Sequence, residues 1–326
     1  MKFALKTLVI AAAVAAAGAA NAAAVTGAIG QAVVVNDPGG SGRQAELKLL
    51  SGGGALAFSA GSGFDGTDPN TLGGLIGALN VGKVAITGVG GATVQESTLP
   101  DEFGDEVRTS STATAAVVAL TADDQTGQVL SVNSTGGALQ VGTRIGGTLT
   151  GGSGSVTNLR FDLANKVVYA DLAGTKAAVG TNPAVNYNLP NTALWTIDNI
   201  SGPTTIPPEA LLAADPVAAL QASGFSYLGK IDGVDAFSAT NVISGLRVTT
   251  AGFEFFKNSL GLLSTGVNAL DAVNDDPLGW GTVTSTLTFT AREVTPTVPE
   301  ASTYAMMGVG LLVVGGALRA RRRAQK

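Results

Sequence analysis

Residues 101–106 read Asp-Glu-Phe-Gly-Asp-Glu, which puts Asp101, Glu102, Asp105 and Glu106 in one short stretch. Hard cations such as calcium take six to eight oxygen ligands from acid-rich loops of this kind. Asp65 and Asp68 in FDGTDPN, and Asp271, Asp275 and Asp276 in DAVNDDP, form two similar groupings. None follows the EF-hand spacing or a repeated Gly-Asp calcium motif. The four acids at 101–106 are therefore weak calcium candidates, and no obligatory cofactor is expected. Carboxylates also hydrolyse glycosides, which takes two of them facing each other across the scissile bond. With 24 acidic residues in the chain, pairs can be drawn at will and none stands out. Tyr169, Tyr187, Tyr227, Trp195 and Trp280 are of a type that stacks on sugars, but core packing uses the same side chains. Gly90-Gly91 and Gly146-Gly147 lack the Lys-Ser/Thr that a phosphate-binding loop requires.

Two absences narrow the chemistry further. The chain has no His and no Cys. Histidine triads and general bases, Cys/His metal centres and disulfides are all excluded. No catalytic residue is assigned, and the chain reads as a non-enzyme. The alternative is a secreted carbohydrate-active enzyme working through paired carboxylates. The formal net charge is −5, and several cations sit at the two ends: Lys2 and Lys6 at the front, Arg319, Arg321, Arg322, Arg323 and Lys326 at the back. The body between is more acidic than the whole, and such a body repels nucleic acid.

The elements that must position these residues are mainly strands. QAELKLL alternates apolar and charged positions, the signature of a half-buried strand. GKVAITGVGGATVQES reads as a hairpin around Gly90-Gly91, and TATAAVVALTADDQTGQVLSV as another around 124–127. In SVTNLRFDLANKVVYADLAG, Leu159 and Phe161 face one way and Arg160 and Asp162 the other, with Asn165 placed for positive φ. ALWTIDNI, NVISGLRVTTAGFEFF and GTVTSTLTFTARE carry further β-branched and aromatic alternation. Helices are expected at PPEALLAADPVAALQASG, with Asp215 as N-cap before Pro216. A further helix is expected at NSLGLLSTGVNALDAV, with Leu260, Leu263, Val267 and Leu270 on one face. Together these predict a mainly β protein: an antiparallel β-sandwich or barrel-like body with two or three short helices. Residues 23–154 are Gly/Ala/Val-rich and 155–295 richer in aromatics, so two lobes are expected.

The ends carry the clearest signals. Residues 1–22 have a basic start, an apolar run from Leu8 to Ala17 and Ala20-Asn21-Ala22, as in a signal peptide cut after Ala22. At the other end, Val298-Pro299-Glu300 precedes an uncharged run from Ala301 to Leu318. As a helix that run spans about 27 Å, a little under the roughly 30 Å hydrocarbon core. Arg319, Arg321, Arg322 and Arg323 then hold its far end in the cytoplasm. The expected topology is body outside and basic end inside.

This tail resembles the PEP-CTERM sorting signal of exported proteins in Gram-negative bacteria that make exopolysaccharide. Pro299 and Glu300 match its box, Ser302-Thr303-Tyr304 its Ser-Thr-aromatic step, and the arginines its basic end. Ala301 stands where the second proline usually is. The resemblance covers residues 298–326 alone. It implies recognition by an exosortase-type enzyme after signal peptidase, a transient stay in the inner membrane, and delivery to the cell surface or matrix in association with exopolysaccharide.

Overall fold

The structure is a computed structural model and describes residues 23–39, 41–67 and 72–294. The leader, the sorting residues Val298, Pro299 and Glu300, the apolar run after them and the terminal arginines lie outside the described residues. Among the described residues no helix is long and apolar enough to cross a membrane.

The strands at the front are β1 (Ala24–Ala28), β2 (Ala32–Asn36) and the long β3 (Gln44–Ala60). Helix α1 (Gly74–Val81) leads to β4 (Ala85–Val89), β5 (Thr93–Pro100), β6 (Glu106–Asp123), β7 (Val129–Thr135) and β8 (Gly137–Gly142). Next come β9 (Gly152–Asp162), β10 (Val167–Lys176), β11 (Val185–Thr196) and β12 (Asn199–Ser201). The remainder is α2 (Pro208–Leu211), α3 (Pro216–Ala222), β13 (Ser226–Ile231), β14 (Val234–Ser244), β15 (Arg247–Val248), α4 (Thr250–Ser259), α5 (Ser264–Asp275) and β16 (Gly281–Val294).

The sixteen strands of the described residues join one antiparallel sheet, and it curls. Its main path runs β14-β16-β3-β6-β7-β9-β10-β11. Trp195 pairs with Val248 and Thr196 with Arg247. Past a short break, Asn199 pairs with Ser244, Ile200 with Ile243 and Ser201 with Val242. Partner numbers stay in step across the break, so β11–β12 and β14–β15 are two bent strands lying side by side in one register. That seam brings the two ends of the path together. The strands of residues 23–142 form one continuous arc of this single sheet, joined to the arc of later strands where β3 pairs with β16 and where β7 and β8 pair with β9.

β6 is the pivot. Its first half lies between β5 and β3, and its second half between β1 and β7. β1 thus fills the gap where β3 peels away to pair with β2. Alternation directs the interior. In β16, Val283, Ser285, Leu287 and Phe289 are buried, while the intervening threonines hold the outer face. In β9 the phase shifts at Asn158, whose φ is +53°, so Val156 and Leu159 both turn inward.

Several expectations need correction. GKVAITGVGGATVQES supplies two strands, but they are not partners: β4 pairs with β8 and β5 with β6. Among the described residues there are five helices rather than two or three. Thr250–Ser259 is helix α4, not strand; Thr249 caps it by accepting from the Gly252 amide, and Phe255 and Phe256 pack inward. The expected helix around residues 258–273 is cut by Gly261 at φ +65°, which leaves Leu260 and Leu270 buried but Leu263 exposed. In the β9–β10 turn, Lys166 rather than Asn165 takes positive φ. Asn165 instead donates to Asp162 from its amide and its side chain.

That turn sets a pH dependence. Partial burial pushes the Asp162 carboxyl up, but the Asn165 hydrogen bonds and the Arg160 charge outweigh it, so it lies below the usual 3.8. A depressed folded value means that the stabilisation is present above the unfolded pKa and is lost as the pH falls through the folded one. Asp162→Asn is expected to flatten the acid limb of stability below about pH 4, as read by urea melts at stepped pH.

Candidate functional site

A row of aromatic rings crosses the interior of the sheet. Phe58 of β3 lies parallel to Trp195 of β11, with centroids 5.3 Å apart and planes at 9°. Trp195 meets Trp280 at 6.0 Å, and Trp280 stacks on Phe256 of α4 at 5.6 Å. Residues from β3, β11, α4 and the turn just before β16 meet only because the sheet curls. Asn274, in α5, holds the row in place. Its Oδ1 accepts from Trp280 Nε1 and from the Val248 amide, both at 2.9 Å.

Helix α1 covers this region through distant contacts. The Gly74 amide donates to Asp276 Oδ2 at 2.8 Å, and the Leu278 amide to Asp276 Oδ1 at 2.8 Å. The Ile76 amide donates to the Gly61 carbonyl at 2.9 Å. Glycine-rich TLGGLIGALNVG is a poor helix former, and a cap supplied from so far along the chain compensates.

Between α1, α5 and the inner faces of β3, β6, β8 and β9 lies a cavity of about 130 Å³. Leu56, Leu79, Ile86, Val156, Leu159 and Leu270 supply its apolar wall, and Phe58, Trp195, Trp280 and Phe256 its aromatic one. Ser111, Thr114, Gln140 and Thr148 are its polar residues. A second cavity of about 50 Å³ lies among Leu49, Phe161, Ile243 and Phe289, with Asn241 and Ser285 in its wall. Among the described residues no Asp, Glu, Lys or Arg lines either one. Four buried polar atoms of lining residues have no hydrogen-bond partner among the described residues: Gln140 Oε1 and Trp195 Nε1 for the larger cavity, Asn241 Oδ1 and Ser285 Oγ for the smaller.

The acids singled out in the sequence lie elsewhere. Asp101 opens the β5–β6 hairpin loop, where its Oδ1 accepts from the amides of Phe103 and Asp105, each at 2.9 Å. It orders the turn; Phe103 stands 83% exposed at the tip, with Glu102, Asp105 and Glu106 exposed beside it. Asp65 accepts from the Thr67 amide and hydroxyl. Among the described residues no group of three or more Asp or Glu side chains is arranged to hold a metal ion. Added calcium is expected to move the thermal midpoint by less than about 5 °C, checked by differential scanning fluorimetry against magnesium.

The aromatic candidates divide. Trp195 and Trp280 are buried in the ring row. Tyr169 lies under the Arg160 guanidinium at 4.2 Å, and Tyr227 donates to Asp235 Oδ1 at 2.9 Å. Tyr187 packs against the core edge. None of the three tyrosines lines either of these two cavities. Sequence reading overlooked Gln140, a polar residue in the alternating GALQVG, whose signal was the side chain breaking an apolar stretch.

These features define a curled antiparallel β protein with an aromatic-walled interior cavity. Comparison with protein-family models, with curated proteins and with solved structures finds no match.

Proposed function

We propose that the protein is exported and sorted through its C-terminal tail, and that its body serves as a structural or exopolysaccharide-associated component of the cell surface or extracellular matrix. The observation that carries this reading is the ordered pattern of residues 298–326: Pro299-Glu300, a membrane-length apolar run, then arginines. Signal peptidase would act first, and an exosortase-type enzyme would then remove the tail. An antiparallel, barrel-like body suits this role, because a chain without cysteine packs without disulfides.

The geometry at the two ends of the body supports the reading. Val294 pairs with Gln44, and Gln44 pairs with Asn36. The Asn36 amide donates to the Asp124 carbonyl, and the Ala23 amide donates to Asp124 Oδ1 at 2.8 Å. Ala23 and Val294 therefore lie at the same end of the body, which suits a leader and a tail that both face one membrane. Cutting after Ala22 would also turn the Ala23 amide into an ammonium group beside the Asp124 carboxylate, a stronger contact than the neutral one.

Glu300→Ala is expected to leave the body folded and to abolish tail removal in the native host. Intact-mass measurement of fractionated protein reads this directly. The wild type should begin at Ala23 and lack the arginines, whereas the variant should retain them in the membrane fraction. Normal processing of the variant would refute the sorting assignment.

A further inference from the structure

We propose that the 130 Å³ cavity beneath α1 is a binding site for one small, neutral, aromatic molecule carrying a single hydrogen-bonding group. This proposal is independent of how the chain is sorted.

Size limits the ligand first. A dry apolar cavity of about 150 Å³ holds a molecule such as benzene, so this one admits a single ring with a short substituent. Charge limits it next. The wall has no ionisable side chain, and an unpaired ion would meet a large desolvation cost there. Sugars are disfavoured for a related reason, since their many hydroxyls would find few partners among Ser111, Thr114, Gln140 and Thr148.

The wall favours an aromatic occupant. Phe58, Trp195, Trp280 and Phe256 form a continuous row, and a further ring gains from offset or edge contact with them. The polar group follows from the few polar residues of the wall. Ser111, Thr114, Gln140 and Thr148 are set in an otherwise apolar lining, and a small number of placed polar groups orients a ligand in such a pocket. A hydroxyl both donates and accepts, so it can pair with a side chain of either kind. An aromatic alcohol meets all four constraints.

The test uses the chain's own reporters. Its only two tryptophans, Trp195 and Trp280, both line the cavity. Titration of the purified body with benzyl alcohol is expected to give a saturable change in tryptophan emission, whereas glucose at the same concentrations gives none. Ala115→Leu places bulk in the cavity from β6, and Ala78→Leu from α1. Each is expected to weaken benzyl alcohol binding at least tenfold while the thermal midpoint stays the same or rises. No saturable response in the wild type would overturn the proposal. So would equal affinity in a folded, filled variant, or a response to glucose equal to that for benzyl alcohol. Processing of the Glu300→Ala chain bears on sorting alone.

Discussion

Replacing Trp280 by alanine is expected to destabilise the body by about 3–5 kcal/mol, the range for truncating a buried aromatic residue. Trp280 is 2% exposed and touches both neighbours in the ring row. Its removal ends both contacts and enlarges a cavity that already exists. It also leaves Asn274 Oδ1 with one donor instead of two. Because whole domains are stable by only about 5–15 kcal/mol, the loss takes a large share. At about 2–4 °C per kcal/mol for a chain of this size, the midpoint should fall on the order of 10 °C. Trp280→Phe keeps a ring in the row and gives up the Asn274 bond, so its cost should be nearer 1 kcal/mol. Guanidinium melts of the three proteins, with slopes compared, separate these values.

The second large effect lies at the seam. Gly245 has φ +67°, and an added Cβ would come 2.6 Å from the Cβ of Asp198. The collision falls where β11 passes into β12 and β14 into β15. A β-branched residue here meets two penalties at once, a left-handed backbone worth about 1–3 kcal/mol and overpacking worth about 1–3 kcal/mol. Gly245→Val is expected to cost about 2–6 kcal/mol in total. Gly233, in the β13–β14 turn, has φ +78° but open space around it. Gly233→Ala isolates the backbone part and should cost about 1 kcal/mol. Equal losses in the two variants would show that the seam is not closely packed.

Much of this architecture could be read locally, and the limits of that reading have physical causes. The β6–β7 and β9–β10 hairpins were legible because turn and alternation lie in one short window. The Asp215-Pro216 helix start was legible for the same reason, and Asp215 does accept from the Ala218 amide. Helix α4 misled because Phe253, Phe255 and Phe256 favour strands. The Thr249 cap and the close fit of Gly252 against Leu194 and Val248 override that preference. Helix α1 could not be anticipated, since the Asp276 carboxylate that caps it comes from the far end of the chain. The cavity was hidden for the same reason. Trp195 and Trp280 were visible as residues, but nothing near either one announced the other. The acids cluster in sequence, but in the fold Asp65, Asp101 and Asp276 each accept from backbone amides.

The pairing of β3 with β16 joins residues 44–60 to residues 281–294. Contacts between such distant parts of a chain slow folding, because a large loop must close before they form. A polypeptide delivered from its amino end must therefore hold the β3 edge unpaired until almost all of the body has emerged. Unpaired edges recruit neighbouring chains, so the β3 edge stays open to pairing with another chain until β16 arrives.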